Sequence, residues 1–259
     1  MTKEKTKVII HGLKGKMGMV VYNLLKDNDD FEIVAGIDRN IDEGEFSFKT
    51  FGNIYNCNVK ADVVIDFSTA SVVKDLVLYC VEKKLAIVIC TTGLNDDTLD
   101  AISKASSSIP VFKSANMSIG INLINNLLKK SSKFLYDIGF DVEIIEKHHN
   151  RKIDAPSGTA LLLADTIKDT IDDDNKYVYD RSSVTQPREK KDIGIHALRG
   201  GTIVGEHTVV FAGNNEIVEL THKAESREVF AAGAVNASKF VAGKEAGLYD
   251  MSDLIETIM

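Results

Sequence analysis

One short stretch of the chain gathers the residue types that acid catalysis on an anionic substrate requires. Two adjacent histidines, His148 and His149, are followed by Lys152 and then by Pro156-Ser157-Gly158-Thr159, which leads into an apolar run. A histidine titrates near neutral pH, and residues four apart face one another where the chain is turned or helical. In such a conformation Lys152 places a fixed positive charge beside His148, an arrangement suited to general acid catalysis.

The residues after Lys152 predict a helix whose N-terminus binds an anion. Pro156 suits the first turn of a helix, and either Ser157 or Thr159 can cap it. Gly158 lets a ligand approach the backbone, where the free N–H groups favour a carboxylate or a phosphate. Each of these residues taken alone is equally compatible with an ordinary surface loop, so the prediction depends on the cluster as a whole.

A second predicted site lies near the start of the chain, where a strand, a glycine turn and a helix follow one another. Residues 7–11 form an apolar strand, and Gly12, Gly15 and Gly18 separate it from a helix that begins near Val20. The spacing differs from the common G-x-G-x-x-G pattern. The glycines still allow a tight turn, a close approach of the backbone to a pyrophosphate and close packing of the helix on the strand.

Two charged residues after the second predicted strand, residues 31–37, point to the adenosine half of a dinucleotide. Asp38 follows the last glycine by about 20 residues, where an acidic residue accepts hydrogen bonds from a ribose. Asp38 favours a free 2′-hydroxyl, whereas the guanidinium of Arg39 can pair with a 2′-phosphate. We therefore predict dinucleotide binding, with the choice between NADH and NADPH left open.

Repeated units of strand, loop and helix position these groups. The strands are predicted at residues 61–67, 85–89 and 109–113, and the helices at 71–84 and 94–108, while residues 41–58 are polar and irregular. This repetition predicts a Rossmann-like, doubly wound parallel sheet. Ligands of such sheets lie beyond the carboxyl ends of the strands, where we expect the loops 67–69, 90–93 and 114–117.

The pattern changes after Gly120 and predicts a second, α+β domain. It comprises helices at 121–136 and 157–171, a half-buried strand at 140–146, and antiparallel strands at 193–196, 202–211 and 216–222 joined by glycine turns. A helix at 227–241 returns to the first domain. We thus predict a dinucleotide-binding domain of residues 1–118, completed by 223–259, and a substrate-binding and oligomerisation domain of residues 119–222. Its open mixed or antiparallel sheet leaves a face for an oligomer to cover.

Composition excludes several classes of protein. The net charge of −7 disfavours a nonspecific nucleic-acid binder. Cys57, Cys80 and Cys90 have no metal-binding spacing, and adjacent histidines point apart, so we expect no metal site. The odd number of thiols fits a reduced, cytoplasmic setting. The charged N-terminus passes directly into a strand, so we expect no signal peptide, and no apolar run has the length to span a bilayer.

Several motifs together identify a family. They are Gly12-Leu13-Lys14-Gly15-Lys16-Met17-Gly18, Asp66-Phe67-Ser68-Thr69, Thr91-Thr92-Gly93, Asn116-Met117-Ser118-Ile119-Gly120, Gly205-Glu206-His207, Gly247-Leu248-Tyr249-Asp250-Met251 and, most specifically, Glu146-Lys147-His148-His149 through Lys152 to Asp154-Ala155-Pro156-Ser157-Gly158-Thr159-Ala160. With these motifs the chain resembles, over nearly its whole length, the dihydrodipicolinate reductases of the lysine pathway.

The resemblance implies a reaction and a set of roles. The reaction is the reduction of 4-hydroxy-tetrahydrodipicolinate (dihydrodipicolinate), a cyclic imine dicarboxylate, to tetrahydrodipicolinate by NADH or NADPH, within a homotetramer. His148 matches the family's catalytic acid and base, Lys152 its second proton donor, and His149 a substrate contact. Gly158 and Thr159 match the pair that binds a substrate carboxylate. The matching cofactor residues are Gly12, Leu13, Lys14, Gly15, Lys16, Met17, Asp38, Arg39, Cys90, Thr91, Thr92, Ser114, Ala115, Asn116 and Met117.

The chain departs from the family pattern at a few of these positions. Lys16 stands where arginine is usual, Cys90 where glycine is more common, and Ser114 where alanine is frequent. Two further hypotheses stay open on the residues alone. One is another two-domain nicotinamide enzyme, such as an aspartate- or homoserine-type dehydrogenase. The other is a dinucleotide sensor without turnover.

Overall fold

The chain folds into two units. The computed structural model describes residues 4–41, 44–171, 174–182 and 184–258. The first unit consists of Met1–Ile119 and Glu228–Met259, and the second of Gly120–Arg227. The sequence predicted that the second unit ends at residue 222 and that residues 223–259 belong to the first unit. The second unit continues to Arg227 because its last strand runs on to Ala224.

A parallel sheet forms the centre of the first unit. Within the described residues it has seven strands, in the order β12-β6-β5-β4-β1-β2-β3. They are β1 (Thr6–His11), β2 (Phe31–Ile37), β3 (Lys49–Phe51), β4 (Val63–Asp66), β5 (Ala86–Ile89), β6 (Pro110–Lys113) and β12 (Gly247–Tyr249). The inner strands are continuous apolar runs because helices cover both of their faces. The strand order reverses between β1 and β4, so the predicted Rossmann-like topology is confirmed.

Helices pack on both faces of this sheet. They are α1 (Lys16–Leu25), α2 (Ala70–Lys83), α3 (Asp96–Ala105), α6 (Glu228–Val241) and α7 (Met251–Ile258). One face is covered by α1, α6 and α7, and the other by α2 and α3. The small side chains Ala231, Ala234 and Ala237 are fully buried and let α6 approach the strands closely. The C-terminal helices α6 and α7 therefore help to cover one face of the sheet that begins at residue 6.

The second unit is a mixed sheet whose inner face carries both apolar and ionisable side chains. In the described part of the chain the order is β11-β10-β7-β9-β8. The strands are β7 (Asp141–His148), β8 (Lys176–Val178), β9 (Asp192–Arg199), β10 (Gly205–Ala212) and β11 (Ile217–Ala224), and the helices are α4 (Ile119–Asp137) and α5 (Gly158–Ile171). The buried residues of β7 alternate, and they include Val142 and Ile144, which cluster with Leu163 and Ile167 of α5. Burial of each such side chain stabilises the unit by about 1.5–3 kcal/mol.

The predicted pairing of the later strands was wrong in one respect. We expected residues 193–196 and 202–211 to form an antiparallel hairpin through Gly200-Gly201. Instead β7 lies between β9 and β10, parallel to β9 and antiparallel to β10. The chain reaches β9 from β7 by a crossover that contains α5, which is the connection that a parallel pair requires. The predicted mixed sheet is confirmed.

Three strands and one helix were not predicted. β3 lies inside the segment 41–58 that we expected to be irregular, of which residues 42 and 43 fall outside the described residues. β8 and β12 are equally short, and α7 follows β12 directly. Among the described residues, none of the helices is both long enough and apolar enough to cross a membrane.

Candidate active site

His148 lies at the end of a strand. It is the last residue of β7, its side chain belongs to the buried face of the sheet, and its backbone carbonyl accepts a hydrogen bond from the Gly200 N–H at 2.9 Å. The turned conformation allowed by the prediction occurs just after the strand, at residues 150 and 151, and the facing of Lys152 and His148 stays a prediction. Lys152 follows in a tight turn, with its N–H donating to the His149 carbonyl at 3.1 Å.

Glu146 holds the imidazole of His148 from the same face of the strand. Its carboxylate, which is fully buried, lies 2.6 Å from His148 Nδ1 and accepts a hydrogen bond from the Ser157 N–H at 2.9 Å. Arg199 donates to both carboxylate oxygens at 2.7 Å. Burial acts to raise the pKa of Glu146, but the hydrogen bonds from Arg199, His148 and Ser157 outweigh it and lower the pKa. The carboxylate is thus ionised and accepts the Nδ1 proton, so Nε2 is the nitrogen left for chemistry.

A second histidine packs against the first. His207 is buried on β10, and its ring meets that of His148 edge to face, with 5.1 Å between the ring centroids. Burial, together with the positive potential of His148, lowers the pKa of His207 to about 4. His207 is therefore neutral at neutral pH and adds no charge beside His148. A Cβ on Gly205 would lie 3.1 Å from His148 Nε2, so any side chain other than hydrogen at position 205 would crowd this nitrogen.

The start of α5 has the predicted serine cap, but the proline does not lie in the first turn. Ser157 Oγ accepts a hydrogen bond from the Ala160 N–H at 3.2 Å, which confirms Ser157 as the cap, and it also lies 3.0 Å from His207 Nε2. Pro156 precedes the cap and is not in the first turn. A Cβ added at Gly158 would meet no described atom within 4 Å, so the space beside this glycine is open.

The loop between β7 and α5 carries the remaining predicted residues. Lys152 Nζ lies 2.8 Å from the Asp154 carboxylate, and this hydrogen bond lowers the pKa of Asp154. Partial desolvation and the positive charges of Arg151 and Arg227 lower the pKa of His149. The loop and the end of β7 therefore form a mainly cationic surface beside the start of α5, which favours an anionic ligand.

In the first unit, the glycine turn has the geometry that close approach requires. Gly12 has φ +81°, and a Cβ there would lie 2.5 Å from the Phe67 carbonyl oxygen. A Cβ on Gly18 would lie 2.1 Å from the Gly12 carbonyl oxygen. The glycines therefore permit both the turn and the close packing of α1 that the sequence predicts. Since α1 begins at Lys16, its free N–H groups open beside this turn.

Cavities flank the turn on both sides of Phe67 and Ser68. One has a volume of about 290 Å³ and is lined by residues that include Gly12, Gly15, Asp38 and Arg39. The other has a volume of about 590 Å³, and its lining includes Lys16, Met17, Cys90, Thr91, Thr92, Ser114, Ala115, Asn116 and Met117. Two cavities that share Phe67 and Ser68, with Gly12 and Gly15 lining the smaller one, fit the two nucleoside halves of a dinucleotide and the phosphates between them.

Two predicted cofactor residues lie away from these cavities. Among the described residues that line them, Leu13 and Lys14 do not occur. The Leu13 side chain is buried against Gly36, and its N–H donates to the Ile37 carbonyl. The Lys14 ammonium pairs with Glu45 at 2.6 Å, while the Lys14 N–H donates to Asp38 at 3.0 Å. Their side chains thus support the loop that borders the smaller cavity.

Sequence reasoning missed a buried polar group between the cavities. Asp66, fully buried at the end of β4, lies 2.7 Å from His11 Nδ1 and accepts hydrogen bonds from the hydroxyls of Ser68 and Thr91, both at 2.6 Å. The signal was present, since His11 and Asp66 both end apolar strands and so reach the same edge of the sheet. Burial raises the pKa of the neighbouring Cys90 thiol. Among the described residues, no three His, Cys, Asp or Glu side chains group as metal ligands.

A doubly wound sheet with a dinucleotide-sized groove, together with a unit that holds a histidine on an ionised carboxylate, defines a nicotinamide-dependent oxidoreductase. Comparison with known families is more specific. Residues 6–117 match the family model described as dihydrodipicolinate reductase, N-terminus, and residues 120–255 match the model described as its C-terminus. The chain belongs to the dihydrodipicolinate reductase family.

Individual relatives agree over nearly the full length. The 4-hydroxy-tetrahydrodipicolinate reductase of Clostridium tetani is 53% identical over 97% of this chain and 97% of its own length. That of Caldanaerobacter subterraneus is 49% identical over 96% of this chain and 98% of its own. A dipicolinate-bound dihydrodipicolinate reductase from Paenisporosarcina sp. TG-14 superposes with a TM-score of 0.80, at 25% identity, over 95% of this chain and 98% of its own. Aspartate dehydrogenase of Thermotoga maritima shares the fold alone, with a TM-score of 0.51 at 13% identity over 93% of this chain and 99% of its own.

Proposed function

We propose that this chain reduces 4-hydroxy-tetrahydrodipicolinate to tetrahydrodipicolinate with NADH or NADPH, a step of diaminopimelate and lysine biosynthesis. The observation that carries the proposal is the buried Glu146, which holds His148 Nδ1 at 2.6 Å beside the open N-terminus of α5. Such a site offers a proton and binds a carboxylate, and the substrate of this family needs both. The matches over the full chain to named reductases support the same reaction.

His148 is the proposed proton donor. The bound nicotinamide supplies the hydride, whose addition leaves the substrate ring electron-rich and in need of a proton from a neighbouring acid. The ionised Glu146 keeps a proton on Nδ1 and stabilises the imidazolium, so that the proton donated to the substrate comes from Nε2. General acid catalysis of this kind contributes roughly 10²–10⁴-fold to a rate. Gly205, where a Cβ would lie 3.1 Å from Nε2, keeps a side chain out of the space beside this nitrogen.

The substrate carboxylates bind to the loop and the helix start that follow His148. The backbone N–H groups of Gly158 and Thr159 bind one carboxylate with the favourable helix dipole. His149 and Lys152 bind the substrate from the loop, and Lys152 also serves as the second proton donor. The Lys152 ammonium pairs with Asp154, a surface contact worth about 1 kcal/mol or less. A substrate carboxylate can therefore replace Asp154 as its partner at small cost.

The cofactor occupies the groove of the first unit. The adenosine half binds in the smaller cavity, the phosphates bind at Gly12 to Met17, and the nicotinamide half binds between residues 90–92 and 114–117. Asp38 lines the smaller cavity and offers its carboxylate to the ribose. Arg39, which is exposed at the rim, can pair with a 2′-phosphate. We therefore propose that both NADH and NADPH are used.

Assembly and compartment complete the proposal. The face of the second sheet that points away from α5 exposes Ile145, Leu198 and Ile217, with Ile217 65% accessible. A homotetramer in which copies of this face pack together would bury them. All three cysteines of the sequence lie in the described part of the chain as free thiols, which fits a reducing cytoplasm. Sedimentation of the purified chain at several concentrations tests the tetramer, and a monomer throughout would contradict it.

Turnover tests the reaction directly. The heterocycle is made in situ by a synthase from pyruvate and aspartate semialdehyde, and the absorbance of NADH and of NADPH is followed in parallel. Consumption of either cofactor that depends on both the heterocycle and this chain is the expected result. Cofactor binding without consumption would favour a sensor, and consumption with a different carbonyl substrate would favour another dehydrogenase.

A further inference from the structure

We propose that Arg199 is a positioning residue of this reaction. Its single guanidinium fixes the position of the proton donor His148, through Glu146, and of the loop that binds the substrate. The inference rests on the proposed function of His148 and Lys152. Arg199 ends β9, in register with His148 at the end of the adjacent strand β7. The two strand ends therefore bring a cation beside the proton donor.

The first half of the argument is the link from Arg199 to His148. Arg199 Nη1 and Nη2 each lie 2.7 Å from a different oxygen of Glu146, which is the parallel, two-bond geometry of an arginine and a carboxylate. Glu146 is fully buried, and a buried carboxylate without a cation takes up a proton. A protonated Glu146 no longer stabilises an imidazolium at 2.6 Å. Arg199 therefore maintains the charge that keeps His148 able to donate from Nε2.

The second half is the link from Arg199 to the substrate loop. Arg199 Nη2 also donates to the Asp154 carbonyl oxygen at 2.6 Å. Asp154 is the residue whose carboxylate pairs with Lys152 at 2.8 Å, in the loop between β7 and α5. One planar group thus fixes the carboxylate behind the acid and the backbone beside the substrate-binding lysine. A lysine at this position keeps the charge but cannot present the same fork to both partners.

Variants at Arg199 separate these two roles. We expect Arg199→Lys to keep Glu146 ionised but to lose the Asp154 contact, so KM for the heterocycle rises about tenfold or more while kcat falls less than tenfold. We expect Arg199→Met to lower kcat by on the order of 100-fold, the lower end of a general acid's contribution. Its rate should also begin to fall at a higher pH on acidification, since the pKa of Glu146 rises when the cation is gone. Affinity for NADH should be unchanged in both variants.

Arg181 provides the matched control. It also lies in the second unit and bridges two carboxylates, Glu143 at 3.2 Å and Asp192 at 3.1 Å, away from His148. Arg181→Met should lose stability without a change in the pH profile or in KM. Equal effects of the Arg181 and Arg199 variants on KM, kcat and the pH profile would mean that Arg199 is merely structural, and would overturn the proposal.

Ring-nitrogen NMR of His148 gives a readout that does not depend on turnover. In the unmodified chain we expect the neutral ring to carry its proton on Nδ1, and in Arg199→Met a mixture of both tautomers. The full-length chain is labelled at histidine, and His148→Gln assigns the signal. An unchanged tautomer in Arg199→Met, or in the equally uncharged Arg199→Gln if the Met variant does not fold, would refute the link to His148. A wild-type chain with the expected tautomer but no turnover would instead count against the proposed function.

Discussion

Replacement of Gly12 by alanine tests whether the glycine turn holds the cofactor. At φ +81° an L-residue costs roughly 1–2 kcal/mol. The added Cβ would also lie 2.5 Å from the Phe67 carbonyl oxygen and 2.9 Å from the Ser68 nitrogen, both of which are backbone atoms. Overpacking of this kind costs about 1–3 kcal/mol. We therefore expect Gly12→Ala to lower the free energy of unfolding by about 2–5 kcal/mol, the sum of the two effects.

Gly243 supplies a control for the backbone term alone. It has φ +87°, in the turn after α6, and a Cβ there would meet no described atom within 4 Å. Gly243→Ala should therefore lower the free energy of unfolding by only roughly 1–2 kcal/mol, the cost of the backbone conformation. It should leave cofactor binding unchanged. Urea unfolding followed by circular dichroism measures both variants.

Cofactor affinity decides between a structural and a functional role of the turn. Phe67 and Ser68 line both cavities, so a shift of their backbone changes the shape of the groove where the two cavities meet. Titration of NADH fluorescence should show a Kd at least about tenfold weaker for Gly12→Ala, equivalent to about 1.4 kcal/mol. If Gly12→Ala and Gly243→Ala bound NADH equally well, the reasoning that places the phosphates at this turn would be refuted.

Three further predictions follow from single residues. The folded-state pKa of His207, about 4, lies below its ordinary value of 6.5, so acidification protonates the unfolded chain first. The wild type should lose about 2 kcal/mol between pH 7 and pH 5 through this group, and His207→Gln, measured by urea unfolding at both pH values, should lack that part of the loss. Asp66→Asn should cost about 1–3 kcal/mol in the same assay, because buried donors lose their acceptor; unchanged stability would contradict this. Arg39→Ser should lower the NADPH rate relative to the NADH rate at subsaturating cofactor, and an unchanged ratio would show that Arg39 does not select the cofactor.

The fold was predictable wherever the hydrophobic pattern is long. The second strand was predicted at residues 31–37 and found at Phe31–Ile37, and the helix predicted at 157–171 was found at Gly158–Ile171. The strands that were not predicted are three residues long, which is too short to show an alternating hydrophobic pattern. The insertion of β7 between β9 and β10 depends on pairing between distant segments. The glycine turn between those two strands carries no information about it.

The types of residue at the candidate site were predictable, but their partners were not. Val142, Ile144, Glu146 and His148 alternate along β7, so the sequence pattern itself indicates that a charged residue occupies an inward position. Arg199, which completes that group, comes 53 residues after Glu146 and follows no local pattern. The three-dimensional structure alone brings the two together.

Substitution of His148 by glutamine tests the central claim most directly. Glutamine can still receive or donate one hydrogen bond beside Glu146 but cannot deliver a proton near neutral pH. Turnover of the heterocycle and NADH affinity are measured on the same preparations of wild type and His148→Gln. We predict that kcat falls by on the order of 100-fold or more, while the Kd for NADH stays within about twofold of the wild-type value, or roughly 0.4 kcal/mol. A variant that turns over as fast as the wild type would contradict the assignment of His148 as the acid.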